Sequence, residues 1–461
     1  MRVLFIYPNI NTIYSNWNYG IASLSAVLKR GGHETSLLNL TRLNELPIKI
    51  KNFKFDMIAI SSSSNQWPYS KQIAKYLKRK YVKMILVGGP HVTVYPDAIK
   101  ETKYIDGVCI GEGELPLLKL IDCLENQRAY ENTQSFWFSI GDQIIKNEVH
   151  PLVENLDELP FPDRSIFNYK DIFDYPGFIF ARGCPYNCTY CINHKLQKIY
   201  QNKGKFIRFR SVEKAIKEIE MTIADFKIRK LYIDNDTFNM NYEWLKNFCE
   251  AYESIRLPFI CNLRAEGVTE EITQMLKRAG CEQVNIGLET GDFSLRKSIL
   301  NRKMSNKQII SAFKMAKKAG LKTFSFNMVG FPEETPTRFQ KTILLNSIIK
   351  PENMQISIFY PYLGTVLGDY CKEKNYIKKE FQPNIFTNSI LNLPNFSAKD
   401  IKRAQKWFNF NVFKTYSRKK ALFSLLQFIS AFNQLNYNNQ SLIRRLLQYL
   451  KNLFHKKLIY N

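Results

Sequence analysis

Short apolar runs alternate with segments of helical period through the first 140 residues. VLFIY (3–7), TSLLNL (35–40), MIAISSS (57–63), MILVGG (84–89) and GVCIGEGE (107–114) are separated by amphipathic stretches such as IASLSAVLKRGG (21–32) and KQIAKYLKRK (71–80). Apolar runs of this length between one-faced helices predict strands buried on both sides, hence a parallel sheet wrapped by helices. The fold class expected is α/β, opening with a doubly wound, Rossmann-like or flavodoxin-like domain over residues 1–140. The stretch HPLVENLDELPFPDRSI (150–166) has three prolines and little periodicity and marks a linker, taken as 141–169.

From Gly177 the alternation resumes, with strand candidates FIF, LYID, FICNLR, QVNIGLE, TFSFNMVG and QISIFYP between helices such as SVEKAIKEIEMTIADF. Six β/α units over residues 170–370 fall short of the eight units and ~250 residues of a complete barrel. A partial (β/α)6 TIM-type barrel is expected. Residues 371–461 read as a basic helical region. There Leu422, Leu425, Leu426, Ile429 and Phe432 share one face, and Ile443, Leu446, Leu447, Leu450 and Phe454 repeat the pattern opposite Arg444, Arg445 and Lys451.

A chain of 461 residues that is 45% hydrophobic and 14% aromatic is globular, with two or three domains, and is not a disordered polymer. No apolar run approaches the ~18 residues that span a bilayer, and MRVLFIYPNI is too short-cored for a signal peptide. Six of the nine cysteines are scattered singly (109, 123, 249, 261, 281, 371), which argues against a disulfide framework. A cytoplasmic protein follows. The net charge is +25, and the last 61 residues hold twelve Lys/Arg with no Asp or Glu. Over the body the excess reads as composition bias. A tail of this kind suits an anionic surface, either the inner face of a membrane or nucleic acid, and equally suits a helical cap whose charges face water.

The other three cysteines are packed into RGCPYNCTYC. Cys184, Cys188 and Cys191 form C-x3-C-x2-C in a loop after the strand FIFAR, at the carboxyl end where barrel chemistry resides. A zinc site would need a fourth ligand, for which His194 is the candidate; iron-sulfur clusters take thiolates too, and three on a cubane leave one iron open.

This stretch resembles the signature of the radical S-adenosylmethionine (SAM) enzymes. The resemblance implies that the three cysteines hold a 4Fe-4S cluster whose open iron chelates SAM, and that one electron cleaves SAM to a 5′-deoxyadenosyl radical. It makes Tyr190 an adenine-side contact. Glu289 in NIGLETG resembles the family's fourth-strand Gly-x-Glu, and Gly330 in VGFPEET its Gly-x-Pro-x-Glu-Thr turn, where glycine lets backbone approach the cofactor. LYIDNDTF stands where many members have Gly-Gly-Glu, so Asp234 either meets the methionine amino group or caps the next helix. Arg264 either pairs with the methionine carboxylate or makes a surface ion pair.

A βα domain joined to such a barrel through LDELPFPD resembles the cobalamin (B12)-binding subclass. Ser62 in ISSSSNQ, Gly88 and Gly89 in VGGPH, and the IGEGE turn (110–114) lie at carboxyl ends of strands, the edge where such sheets bind nucleotides and corrins. The loop after the first strand lacks the Asp-x-His-x-x-Gly of cobalt-ligating domains, so any bound cobalamin should have no histidine ligand from the protein; His91 reads as a turn residue. The resemblance implies a methyltransferase acting on an unactivated carbon of a small-molecule or lipid-like substrate, with an external electron donor such as flavodoxin or ferredoxin. Alternatives are a radical cyclase or rearrangement enzyme with the same cofactors, and an RNA-binding or RNA-modifying iron-sulfur protein. No acid or base acting on the substrate can be named.

Overall fold

The computed structural model describes residues 1–10, 17–167, 176–378 and 388–424. The first domain is a seven-stranded sheet of β1 (Arg2–Tyr7), β2 (Glu34–Asn39), β3 (Met57–Ser61), β4 (Met84–Gly88), β5 (Gly107–Cys109), β6 (Phe136–Ile140) and β7 (Gln143–Lys146). The order is β2-β1-β3-β4-β5-β6-β7, parallel from β2 to β5. Both faces are covered, which explains the unbroken apolar runs. Leu4, Ile6, Ile58 and Ile60 pack on one side, and Val3, Phe5 and Met57 on the other.

The antiparallel pair β6–β7 was not among the expected strands. It carries the sheet to Lys146, inside the stretch assigned to the linker. Its signals were local: Phe136 and Phe138 face the core around Trp137, and the two-residue turn Gly141-Asp142 has Gly141 at φ 58°.

The second domain is a six-stranded parallel sheet of β8 (Gly177–Phe178), β11 (Leu231–Ile233), β12 (Phe259–Leu263), β13 (Cys281–Glu289), β14 (Lys322–Val329) and β15 (Asn353–Ile358). The strands lie in chain order from the β8 edge to the β15 edge. Between β8 and β11 a small antiparallel ladder, β9 (Ala181–Arg182) with β10 (Arg208–Phe209), flanks the cysteine loop. Alternate strand residues point outward into a helix-covered core with Phe248, Tyr252 and Phe313. The other set, including Tyr232, Asn262, Phe324, Phe326 and Gln355, is only half-buried on the concave face. Six strands leave that face open where a closed barrel would fill it with side chains.

The helix Ala398–Phe413 packs on β15 and on the helix Pro336–Ile349, burying Ile401, Phe408 and Val412. It is a cap on the outside of the sheet. Of the two amphipathic stretches expected in the tail, everything from Leu425 onward lies outside the described residues. No helix among the described residues is long and apolar enough to cross a membrane.

Candidate functional site between the two sheets

The chain leaves β9 through Gly183 at φ 85°, where an added Cβ would sit 2.4 Å from the Phe206 carbonyl oxygen. Only glycine allows this approach, and it turns the loop inward at Cys184. Cys184 and Cys188 are buried and Cys191 half-buried. Each sulfur has a polar neighbour: Thr237 Oγ1 lies 3.8 Å from Cys184, Asn193 Nδ2 donates to Cys191 at 3.7 Å, and Arg264 Nη1 donates to Cys188 at 3.3 Å. Burial raises the Cys184 thiol, and raises Cys191 to about 11.

His194 is not a fourth ligand. Its Nδ1 lies 3.0 Å from the Cys188 carbonyl oxygen and its Nε2 accepts from the Val366 N–H at 3.1 Å, so backbone groups hold both ring nitrogens. Three thiols with no protein fourth, beside two buried guanidiniums, suit a cluster with one open iron and not a mononuclear zinc site.

The second guanidinium is Arg302, which the sequence did not single out. It is buried, donates to the Gly287 carbonyl at 2.5 Å and to the Tyr190 hydroxyl at 3.2 Å, and lies 3.9 Å from Cys188 Sγ and 3.7 Å from Glu289 Oε1. Its Nε has no partner. Tyr190 and Glu289, predicted separately, are thus brought together by a residue from a third segment. Burial raises both the Tyr190 phenol and the Glu289 carboxyl, and Arg302 opposes each shift. Glu289 has φ 64°, an uncommon conformation for its type, and its carboxylate folds back so that a Cβ at Gly287 would lie 2.5 Å from Oε1. The glycine of Gly-x-Glu therefore makes room for its own glutamate.

Arg264 is buried, against the surface-pair expectation; it pairs with Glu266 at 2.8 Å and its guanidinium lies 3.5 Å from the Tyr186 ring centroid. Asp234 does not cap a helix. It accepts from Asn262 Nδ2 at 3.2 Å, and Asn241 caps the following helix. Asp236 accepts from Asn193, which also reaches Cys191. Protein walls around Asp234, with Asp236 nearby, raise it to about 6; burial raises Asp236 too.

Two expected contacts are corrected. Gly330, at φ 89°, faces the cap: an added Cβ would meet Ile401 at 3.1 Å. Its N–H donates to the buried Glu334 at 2.6 Å, so the turn is closed by its own glutamate. Ser62 is fully buried, with its hydroxyl accepting from Ser70 at 2.9 Å, and it is Ser61 that lines the cavity described next.

That cavity, of about 440 Å³, lies between the two sheets. The first domain supplies Ser61, Gly88 and Gly89 at strand ends and Thr93 from the short helix Pro90–Val94, with Phe5 and Leu86 beneath. The barrel supplies Arg182, Gly183, Asn193, Asp234 and Asp236. At Gly89 (φ 101°) a Cβ would lie 2.8 Å from the Ser62 oxygen, whereas at Gly88 it would find no atom nearer than 3.8 Å. No histidine is among the lining residues. His91 is turned away, with Nδ1 3.0 Å from Ser64 Oγ and its ring against Trp67. A largely apolar chamber at the carboxyl edge of a parallel sheet, floored by backbone, fits a large planar cofactor.

The radical SAM superfamily profile matches residues 178–345, and the B12-binding domain profile matches residues 11–121. The chain carries a radical SAM domain and a B12-binding domain. It is thus a radical SAM enzyme, and the cofactors are those of its domains: a 4Fe-4S cluster, SAM and cobalamin. It is 27% identical to an uncharacterized methyltransferase of Pyrococcus horikoshii over 83% of this chain and 85% of that one. It is 25% identical to the anaerobic magnesium-protoporphyrin IX monomethyl ester cyclase of Rubrivivax gelatinosus over 83% and 72%. The fold resembles that of the radical SAM methyltransferase TsrM from Kitasatospora setae, solved with cobalamin and a 4Fe-4S cluster (TM-score 0.67, 16% identity, 81% and 75% coverage). It also resembles OxsB, a cobalamin-dependent SAM radical enzyme (TM-score 0.72, 16% identity, 98% and 70%).

Proposed function

We propose that this enzyme methylates an unactivated carbon of a small-molecule or lipid-like substrate. The observation that carries the reading is the shared wall. Gly183 and Asn193, which flank the cysteine loop, also line the cavity opposite Gly88 and Gly89, so a cofactor on the first domain faces the loop across one chamber. When bound, the cluster with SAM supplies a carbon-centred radical, and cobalamin supplies a transferable methyl group.

The chain's own groups prepare that chamber. Cys184, Cys188 and Cys191 are the cluster ligands, with Arg264 and Arg302 offsetting thiolate charge at Cys188. Asp236, held by Asn193 beside Cys191, is placed to accept the ammonium of an amino-acid moiety, and Glu289 and Tyr190 gather around Arg302 near Cys188. Asp234, raised to about 6, exchanges a proton near neutral pH within the cavity. Ser61, Gly88 and Gly89 form the cobalamin edge. An external flavodoxin or ferredoxin supplies electrons, and the basic tail offers a peripheral contact with the inner face of an anionic membrane, in preference to nucleic acid.

The test is reconstitution without oxygen. Near-stoichiometric cobalamin retention beside the cluster, 5′-deoxyadenosine on reduction, and label passing from methyl-labelled SAM into a product support methyl transfer. A cluster without cobalamin overturns it. Cofactor retention with an unlabelled, ring-closed product favours the cyclase reading raised by the Rubrivivax relative.

A further inference from the structure

The IGEGE turn, expected at the carboxyl edge where such sheets bind nucleotides and corrins, also carries contacts to the other domain. Glu112 and Glu114 reach across the domain boundary to the small ladder that leads into the cysteine loop. Arg182 places Nη1 3.0 Å from Glu112 Oε2 and Nη2 2.6 Å from Glu114 Oε1, and Ser23 Oγ donates to the same Glu114 oxygen at 2.7 Å. Arg208, paired with Arg182 across the ladder, grips both oxygens of Glu112. Tyr200 caps the arrangement: its hydroxyl accepts from the Glu112 N–H at 2.6 Å, and it occupies the space above Gly111, where a Cβ would lie 1.9 Å from that hydroxyl.

These groups balance, two carboxylates against two guanidiniums, and they are half-buried or buried. All of them border the cavity, and Arg182 is two residues from Cys184. The turn and the ladder form one multiply bonded unit, and forked guanidinium–carboxylate contacts fix orientation as well as distance.

We propose that Glu112, Glu114, Arg182 and Arg208 form an interdomain lock that sets the position of the cysteine loop relative to the cobalamin edge, with Arg182 as its positioning residue. The proposal rests on the two-cofactor reading given above. The lock acts by position, from the wall of the chamber. It holds the cluster loop and the β5 turn at one separation, so that two cofactors bound to different domains work at a defined distance.

The test uses the full chain with Arg182→Lys, which keeps the charge and loses the fork, and Glu114→Gln. In cofactor-free protein, hydrogen exchange at the Gly111 and Glu112 amides should rise by at least ~10-fold in either variant. After reconstitution, in the fraction that holds both iron and cobalamin, pulsed EPR between the reduced cluster and cob(II)alamin should give a shifted or broadened distance distribution. Exchange rates and distances superimposable on those of the unaltered protein, with both cofactors bound, overturn the lock. If both single variants fail to fold, Arg208→Lys, which loses the fork on Glu112 and leaves Arg182 with Glu114, decides by the same exchange at Gly111 and Glu112. Faster exchange supports the lock, and exchange matching that of the unaltered protein overturns it. Should the unaltered protein retain no cobalamin, the two-cofactor reading fails by itself, while the exchange measurement still decides the contact.

Discussion

Arg302 donates to the hydroxyl of Tyr190, 112 positions earlier in the chain, at 3.2 Å. Because the same nitrogen lies 3.9 Å from the sulfur of Cys188, one buried cation serves a phenol beside the cluster and a ligand of the cluster. Replacing Arg302 with Met removes that charge without leaving a large void. The reduced, more negative cluster loses more stabilisation than the oxidised one, so the midpoint potential should fall in a potentiometric EPR titration. Reductive SAM cleavage should slow by ~100-fold, about 2.7 kcal/mol of barrier. Arg302→Lys should restore part of the potential and little of the rate, since a lysine lacks the second arm to the Gly287 carbonyl.

The cysteine triplet and His194 separate metal binding from folding. Alanine at Cys184, Cys188 or Cys191 should abolish the brown chromophore and the iron content. His194→Ala should keep the iron and cost about 1–3 kcal/mol in chemical denaturation, because it leaves the Val366 N–H without its partner. Loss of iron in the His194 variant would make it a ligand after all.

Asp234 gives a pH signature. Its folded-state pKa of about 6 lies above the ordinary 3.8, owing first to the protein walls and then to Asp236. The protonated form is therefore the one the fold favours. The contribution is fully present below about 3.8 and is lost as pH rises through about 6. Asp234→Asn should flatten this dependence and raise stability at pH 8 by no more than about 1 kcal/mol, since the carboxylate opens onto the cavity. Thermal melts from pH 4 to 8 read the difference directly.

Gly88 and Gly89 should behave in opposite ways. Alanine at Gly89 meets the Ser62 backbone and a left-handed φ, so it should cost ~2 kcal/mol and disturb the β4 turn. Gly88→Ala has room on its own sheet but intrudes on the chamber, so the melting temperature should hold while cobalamin retention drops. Parallel melting and visible absorption of the two proteins checks this.

Cobalt should carry no protein imidazole. Cob(II)alamin bound to this chain should give an EPR spectrum free of histidine-nitrogen hyperfine splitting, and His91→Ala should leave it unchanged. Burial holds His91 near 4, and its ring lies between Trp67 and Ser64, away from the cavity.

The strand pattern was readable because each element is specified by neighbours two or four positions away: Phe259, Cys261 and Leu263 turn outward while Ile260 and Asn262 turn inward. The cysteine loop was readable because its ligands are close in sequence. Arg302 and Arg182 were not, since their partners lie 112 and 68 positions off, and nothing local distinguishes them from surface arginines. Ser62 misled for the opposite reason: a serine at a strand end resembles a ligand contact, yet the helix beside it supplied Ser70 first. At Gly330 a φ of 89° favours glycine, and Ile401, 71 positions downstream, packs 3.1 Å from where a Cβ would sit, a neighbour that no local pattern announces. Much of the tail reading concerns residues beyond Ser424.

In the six-stranded sheet, β8 and β15 stand at opposite ends, and the chain that follows β15 comes back to the cysteine loop. Leu367 donates to the Thr189 carbonyl at 3.0 Å, next to the contact between Val366 and His194. The thiol-bearing loop is therefore also a clasp, joining the two margins that two further strands would join in a full ring. Assembling the metal centre and shutting the side of the barrel become one event, and a chain stripped of iron should breathe first along that seam.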